Sequence, residues 1–176
     1  MIAGEKKICK YIDMPLQHIS DPLLLSMNRG ITTAGTKTLI EKIRTKIPEA
    51  SLRTTFIVGL PGETEENFEE LLSFVQETRF EKVGVFVYSP EEGTPAYSMP
   101  DQVSTPVKKK RLDALMKLQQ DISKTAHQKF IGKSLKVLID EREVGKDNVY
   151  IGTSEFKNSD SPLFRQRQNK RGGQDR

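Results

Sequence analysis

TTFIVGLPGETEENF, residues 54–68, decides how the chain folds. An apolar, β-branched strand runs into Gly59-Leu60-Pro61-Gly62, then Glu63-Thr64, then a helix. Two glycines and a proline specify a tight strand-to-helix turn. Thr64 suits the N-cap, and Glu65 and Glu66 lie in the positive first turn. Phe68, Leu71, Leu72 and Val75 then repeat at the i, i+3, i+4, i+7 spacing of a helix packed on a sheet. Strand, glycine turn and amphipathic helix form half of a βαβ unit. In parallel α/β folds ligands lie at the carboxyl ends of the strands. Residues 59–63 are therefore expected to face a substrate or cofactor, although a βα turn without a ligand reads the same way.

Outward from this unit, strands and helices alternate. Residues 7–14 read as a strand that ends in Pro15-Leu16-Gln17-His18, and residues 21–27 as a short helix. A helix is expected over 36–47, with Leu39, Ile40, Ile43 and Ile47 on one face, stopping before Pro48. Strands are expected over 52–58 and 82–88. Thr105-Pro106 marks a cap and a proline at the first helical position. The helix that follows directs Leu112, Leu115, Met116, Gln119 and Ile122 to a core. After Gly132 the pattern becomes that of a β-hairpin, residues 135–141 and 149–152 around a Gly-Lys-Asp-Asn turn. The end, from residue 164, is basic and reads as disordered.

The 176 residues suit one domain with a small appendage. Lys+Arg 28 against Asp+Glu 24 leaves a net charge of +4, too little for a dedicated nucleic-acid binder. No apolar run approaches a membrane span, and the N-terminus lacks the apolar segment of a secretory signal. One cysteine, Cys9, excludes an internal disulfide framework and a multi-cysteine metal site. It is expected on the first strand as a small buried hydrophobe. The chain reads as cytoplasmic.

Three segments, YIDMPLQHISDPLLLSMNRG (11–30), RTTFIVGLPGETEENF (53–68) and VGVFVYSPEEGTPAY (83–97), closely resemble the radical-SAM methylthiotransferases. They look most like the RimO-like branch, which modifies an aspartate of a small-subunit ribosomal protein. The alternatives are the MiaB-like tRNA-modifying branch and a free-standing ribosome- or RNA-interaction module. The resemblance implies an α/β fold: residues 1–131 as the C-terminal half of a partial TIM-like (βα)6 barrel, strands four to six with their helices. Residues 132–163 would then be the start of a small β-barrel, the TRAM module, with possible RNA contact, and 164–176 a disordered basic tail. It also implies S-adenosylmethionine and 4Fe–4S clusters as cofactors. A cluster needs at least three thiolates, and the ligands are absent from this sequence, so this portion is expected to be inactive alone.

The resemblance also assigns roles. Gly59 and Gly62 would let the backbone approach the cofactor's adenine, with Ile57 and Val58 packing on its face; Gly62 equally suits a plain turn. Glu63 either accepts a hydrogen bond or, the reading preferred here, only favours the helix N-terminus. Gln17 and His18 would touch the ribose or methionine end, although His18 also suits a satisfied core histidine. Arg29 would pair with the cofactor carboxylate, or else form a surface salt bridge. Tyr88 and Glu92 would line the substrate mouth. Lys108-Lys109-Lys110-Arg111 reads as a solvated helix face.

Overall fold

The computed structural model describes residues 2–5, 7–128, 130–134, 136–142, 149–154 and 164–165. Two units separate, residues 1–132 and 133–176. The first runs β1 (Tyr11–Asp13), α1 (Asp21–Ser26), α2 (Thr33–Lys46), β2 (Ser51–Val58), α3 (Glu65–Thr78), β3 (Lys82–Val87), a 3₁₀ turn at Pro95–Ser98 and α4 (Thr105–Gln128). Its sheet is parallel, in the order β1-β2-β3, with Ile12 beside Leu52 and Ile57 beside Phe86. The unit is α/β, as the alternating pattern predicts.

The period of two sorts β2. Leu52, Thr54, Phe56 and Val58 are buried; Arg53, Thr55 and Ile57 are partly open. The buried set meets Ile40 and Ile47 on or beside α2, Phe68, Leu71, Phe74 and Val75 of α3, and Leu115 and Ile122 of α4. Phe56, Phe74 and Phe80 meet edge-to-face, with centroids 5.7–6.3 Å apart. Such pairs are worth about 0.5–1.5 kcal/mol each beyond area burial. All three longer helices thus cover one face of the sheet. The opposite face carries Asp13, Arg53, Thr55, Ile57, Gly84 and Phe86, and no described helix covers it. Arg53 and Asp13 pair there at 2.6 Å, and Phe86 is 60 % exposed.

Several expectations need correction. The first strand is three residues long, not eight, because β2 begins at Ser51 and offers no partner before Tyr11. Cys9 therefore lies outside the sheet and is exposed, not buried. Leu39 and Met116 are exposed, while the buried stripe of α4 is Lys108, Arg111, Leu115, Gln119 and Ile122. That helix begins one residue early: the Ser104 carbonyl accepts from the Lys108 N–H at 3.0 Å. The Thr64 cap holds. Its hydroxyl accepts from the Asn67 N–H at 3.3 Å, and Asn67 accepts in return from the Thr64 N–H at 3.0 Å. This is a capping box with asparagine at its third position.

In the second unit β4 (Val137–Arg142) runs antiparallel to β5 (Val149–Ser154), with a register shift between Ile139 and Glu141. β6 (Phe164–Arg165) pairs with β5, so the first two residues of the stretch read as a disordered tail are a strand. The Gly-Lys-Asp-Asn turn and residues 166–176 lie outside the described residues.

Candidate functional site

Everything at the carboxyl end of β2 follows from one glutamate. Leu60-Pro61-Gly62-Glu63 is a type II turn: the Glu63 N–H donates to the Leu60 carbonyl at 3.0 Å, and Gly62 has φ +76°. Proline at its first central position and glycine at its second are what that turn requires. With Gly59 also at φ +77°, the chain reverses and the Glu63 side chain folds back under the loop. Its Oε2 accepts from the Gly59 N–H and, at 3.0 Å, from the Leu60 N–H. The carboxylate is fully buried and does not face solvent at the helix terminus, which overturns the preferred reading of Glu63.

Two cations of α4 pack on this turn, Arg111 against the carboxylate and Lys108 over Gly59. Arg111 lies 3.4 Å from Glu63 Oε2, donates to the Glu63 carbonyl at 3.0 Å and to Glu65 at 3.2 Å, and covers the Phe68 ring at 5.5 Å. Lys108 Nζ donates to the Tyr88 carbonyl at 3.0 Å and lies 4.8 Å above the Tyr88 ring. Lys108 is 7 % exposed and Arg111 5 %, so half of the expected solvated face is buried; Lys109 and Lys110 are the exposed half. The sequence does carry a signal. The stripe of Leu115, Gln119 and Ile122, continued backward at helical spacing, lands on Arg111 and Lys108.

His18 approaches from the other side. Its Nδ1 accepts from the Ser20 N–H at 3.0 Å, so a neutral ring carries its proton on Nε2, 3.8 Å from Glu63 Oε1. Both atoms are buried, and neither has a hydrogen-bond partner among the described residues. Asn67 donates to Ser20 at 2.9 Å and ties the start of α3 to the same loop. Beside His18, Gln17 adopts φ +71°, rare for a residue with a β-carbon. Pro15 has no N–H for the ladder; pairing resumes at Gln17, which donates to the Thr55 carbonyl and accepts from the Ile57 N–H, both at 2.8 Å. Held strain of this kind is common at ligand-binding positions.

The other expected residues divide. Ile57 lies on the open face, beside Phe86 of β3. Val58 is wholly buried in the core, so it turns away from that face. A β-carbon on Gly62 would meet no atom within 4 Å, which leaves open space in front of this turn. Gly59 differs, because Lys108 fills the space above it. Arg29 is exposed and donates to the Pro15 carbonyl at 2.8 Å, at the carboxyl end of β1. Tyr88 follows β3 and donates its N–H to the Val58 carbonyl at 2.9 Å. Glu92 is exposed in the loop 89–94, outside this cluster. Phe86 escaped the sequence reading, although strand alternation puts it opposite Val83 and Val85.

At Asp21 the Thr33 backbone N–H, and then its hydroxyl, hold the carboxyl below the ordinary value of 3.8. Glu66 is lowered likewise, by its own backbone N–H and then by Thr64. Both are helix N-terminal carboxylates outside the cluster. No helix among the described residues is long and apolar enough to cross a membrane.

Residues 2–75 match the sequence model of the Radical SAM superfamily. The uS12 methylthiotransferase RimO of Desulforamulus reducens is 46% identical over 155 residues, 88% of this chain and 35% of that protein. Those of Alkaliphilus oremlandii and Bdellovibrio bacteriovorus are 50% and 51% identical, over 86% and 80% of this chain and 34% and 31% of theirs. By sequence, the chain is similar to the radical-SAM methylthiotransferases over most of its own length. It spans about a third of the length of the curated relatives it matches. Among solved structures, coproporphyrinogen III oxidase (HemN) from Escherichia coli, a radical SAM enzyme, matches with TM-score 0.55 at 21% identity. That match covers 64% of this chain and 27% of that one. The likeness is one of fold.

Proposed function

We propose that these residues supply the later strands of a radical-SAM barrel, and the opening strands of a TRAM-like module, to a cytoplasmic methylthiotransferase. Its substrate would be an aspartate of ribosomal protein uS12. The observation that carries this is near-50% identity to uS12 methylthiotransferases across the strand ends that build the glycine turn. RNA contact through the second unit belongs to the same proposal.

The residues fit S-adenosylmethionine. Gly62 faces open space at the carboxyl end of a parallel strand, where its φ of +76° suits a residue without a side chain. Ile57 offers an apolar side chain on the open face near the end of the same strand, and Gln17 and Arg29 stand at the end of the neighbouring strand. Arg29 is a planar bidentate donor suited to a carboxylate. The cofactor, when bound, supplies radical chemistry and the methyl group. The chain's own share is to bind and orient it: Glu63 fixes the turn, His18 and Arg111 enclose Glu63, and the strained Gln17 sets the adjacent loop. The residues do not fit a 4Fe–4S cluster. They hold one thiol, Cys9, where at least three are needed, and no step is derived through a cluster.

A chimera tests the assignment. Residues 2–154 replace the matching segment of the Desulforamulus reducens relative, and the product is assayed on uS12 and on tRNA by mass spectrometry. A methylthio group on uS12 is expected. Modification of tRNA alone, or of neither by a folded, cluster-loaded chimera, contradicts it.

A further inference from the structure

The geometry points to Lys108 as a positioning residue, a clamp that sets the spacing between the carboxyl ends of β2 and β3. A β-carbon on Gly59 would overlap the Lys108 Cγ and lie 2.9 Å from its Cδ and 3.1 Å from its Cβ. The lysine stem therefore runs directly over the Gly59 backbone. Beyond it the ammonium reaches the Tyr88 carbonyl at 3.0 Å and the Tyr88 ring at 4.8 Å. One side chain from the first turn of α4 thus touches the residue after β2 and the residue after β3. Arg111, three residues on and on the same face, holds the far end of the turn through Glu63. Burying an ammonium is costly unless it is bonded, so Lys108 resists displacement from the Tyr88 carbonyl. Gly59 is glycine both because its φ is +77° and because the lysine crosses it, while Gly62 is the residue left open to a ligand.

This inference rests on the cofactor reading: the ligand of the glycine turn is an adenosine-bearing sulfonium, and Lys108 acts on it through the backbone it holds. The stem and the ammonium have separable effects. Lys108→Ala removes both; Lys108→Met keeps methylenes over Gly59 and loses the bond to Tyr88.

Native-state amide exchange in the 176-residue chain reads the difference. In Lys108→Ala, exchange at Gly59, Leu60 and Tyr88 should quicken by roughly tenfold, with Phe74 and Val75 unchanged. In Lys108→Met, Tyr88 alone should quicken. Gly59→Ala should disturb the folded-to-unfolded ratio about tenfold less in the Lys108→Ala background than in the wild type. Additive effects, or equal quickening in both lysine variants, overturn the clamp. Titration with S-adenosylhomocysteine separates the two readings. Wild-type binding that weakens severalfold in Lys108→Met, with the Gly59 amide still protected, supports the positioning role. Binding unaltered by the variant overturns that role and leaves the cofactor reading standing. Absence of binding by the folded wild type overturns the cofactor reading and the positioning role with it.

Discussion

Glu63→Gln should destabilise the first unit severely although it changes one atom. Glutamine keeps a single acceptor oxygen for the Gly59 and Leu60 amides, and those bonds fall from charge-assisted to neutral, about 1 kcal/mol each. Its amide nitrogen must occupy the other oxygen's position, so donor faces donor at His18 Nε2, 3.8 Å away, while Arg111, 3.4 Å from the retained oxygen, loses its counter-charge. Removing one partner of a buried ion pair costs about 3–5 kcal/mol. The two figures describe one charge and do not add. Arg111 also retains the Glu63 carbonyl at 3.0 Å and Glu65 at 3.2 Å, which softens its loss. The expected cost is about 3 kcal/mol, a large part of the 5–15 kcal/mol total of a small domain. Urea unfolding followed by circular dichroism measures it as a lowered midpoint at unchanged slope. A loss below about 1 kcal/mol, the value of a carboxylate that merely faces a helix N-terminus, would refute the buried hub.

Three further outcomes follow from the same contacts. Asp21 has a lower pKa folded than unfolded, so its contribution to stability is present above the unfolded value of 3.8 and is lost as pH falls through the folded one; Asp21→Asn should flatten that part of the acid profile of unfolding. Phe86→Lys should raise solubility and reduce binding of an apolar dye, since 60 % of Phe86 is exposed on an uncovered sheet face, and unchanged dye binding would place the exposed apolar surface elsewhere. Cys9 should react with a thiol reagent in the folded chain as fast as in urea, whereas slow labelling that waits on unfolding would restore it to a buried strand.

Much of the first unit is legible because its signals are local. The glycine turn, the Thr64 cap and the stripe of Phe68, Leu71 and Val75 each depend on residues within one or two helical turns. The errors come from partners distant in sequence. Residues 7–10 look like a strand, but a strand needs a neighbour, and β2 supplies none before Ser51. Lys108 and Arg111 look solvent-facing by residue type, and what buries them is a carbonyl at position 88 and a carboxylate at 63. Glu63 looks like an ordinary helix-start carboxylate until two positive φ angles turn it back on the Gly59 and Leu60 amides. Val58 and Ile57 are adjacent and both apolar, so composition gave them one role; the pleat of β2 gives them opposite faces. Phe86 was readable by that same alternation.

In the proposed function, the glycine turn of this chain receives the adenosine of a radical-SAM cofactor. Titration of isotope-labelled chain with S-adenosylmethionine, followed through backbone amide resonances, tests it most directly. Saturable shifts at Ile57, Gly62 and Gln17, abolished in Gly62→Val while the Phe74 and Leu115 resonances stay in place, are the expected result. Shifts confined to the second unit, or none at Gly62 in the folded chain at millimolar cofactor, would contradict it.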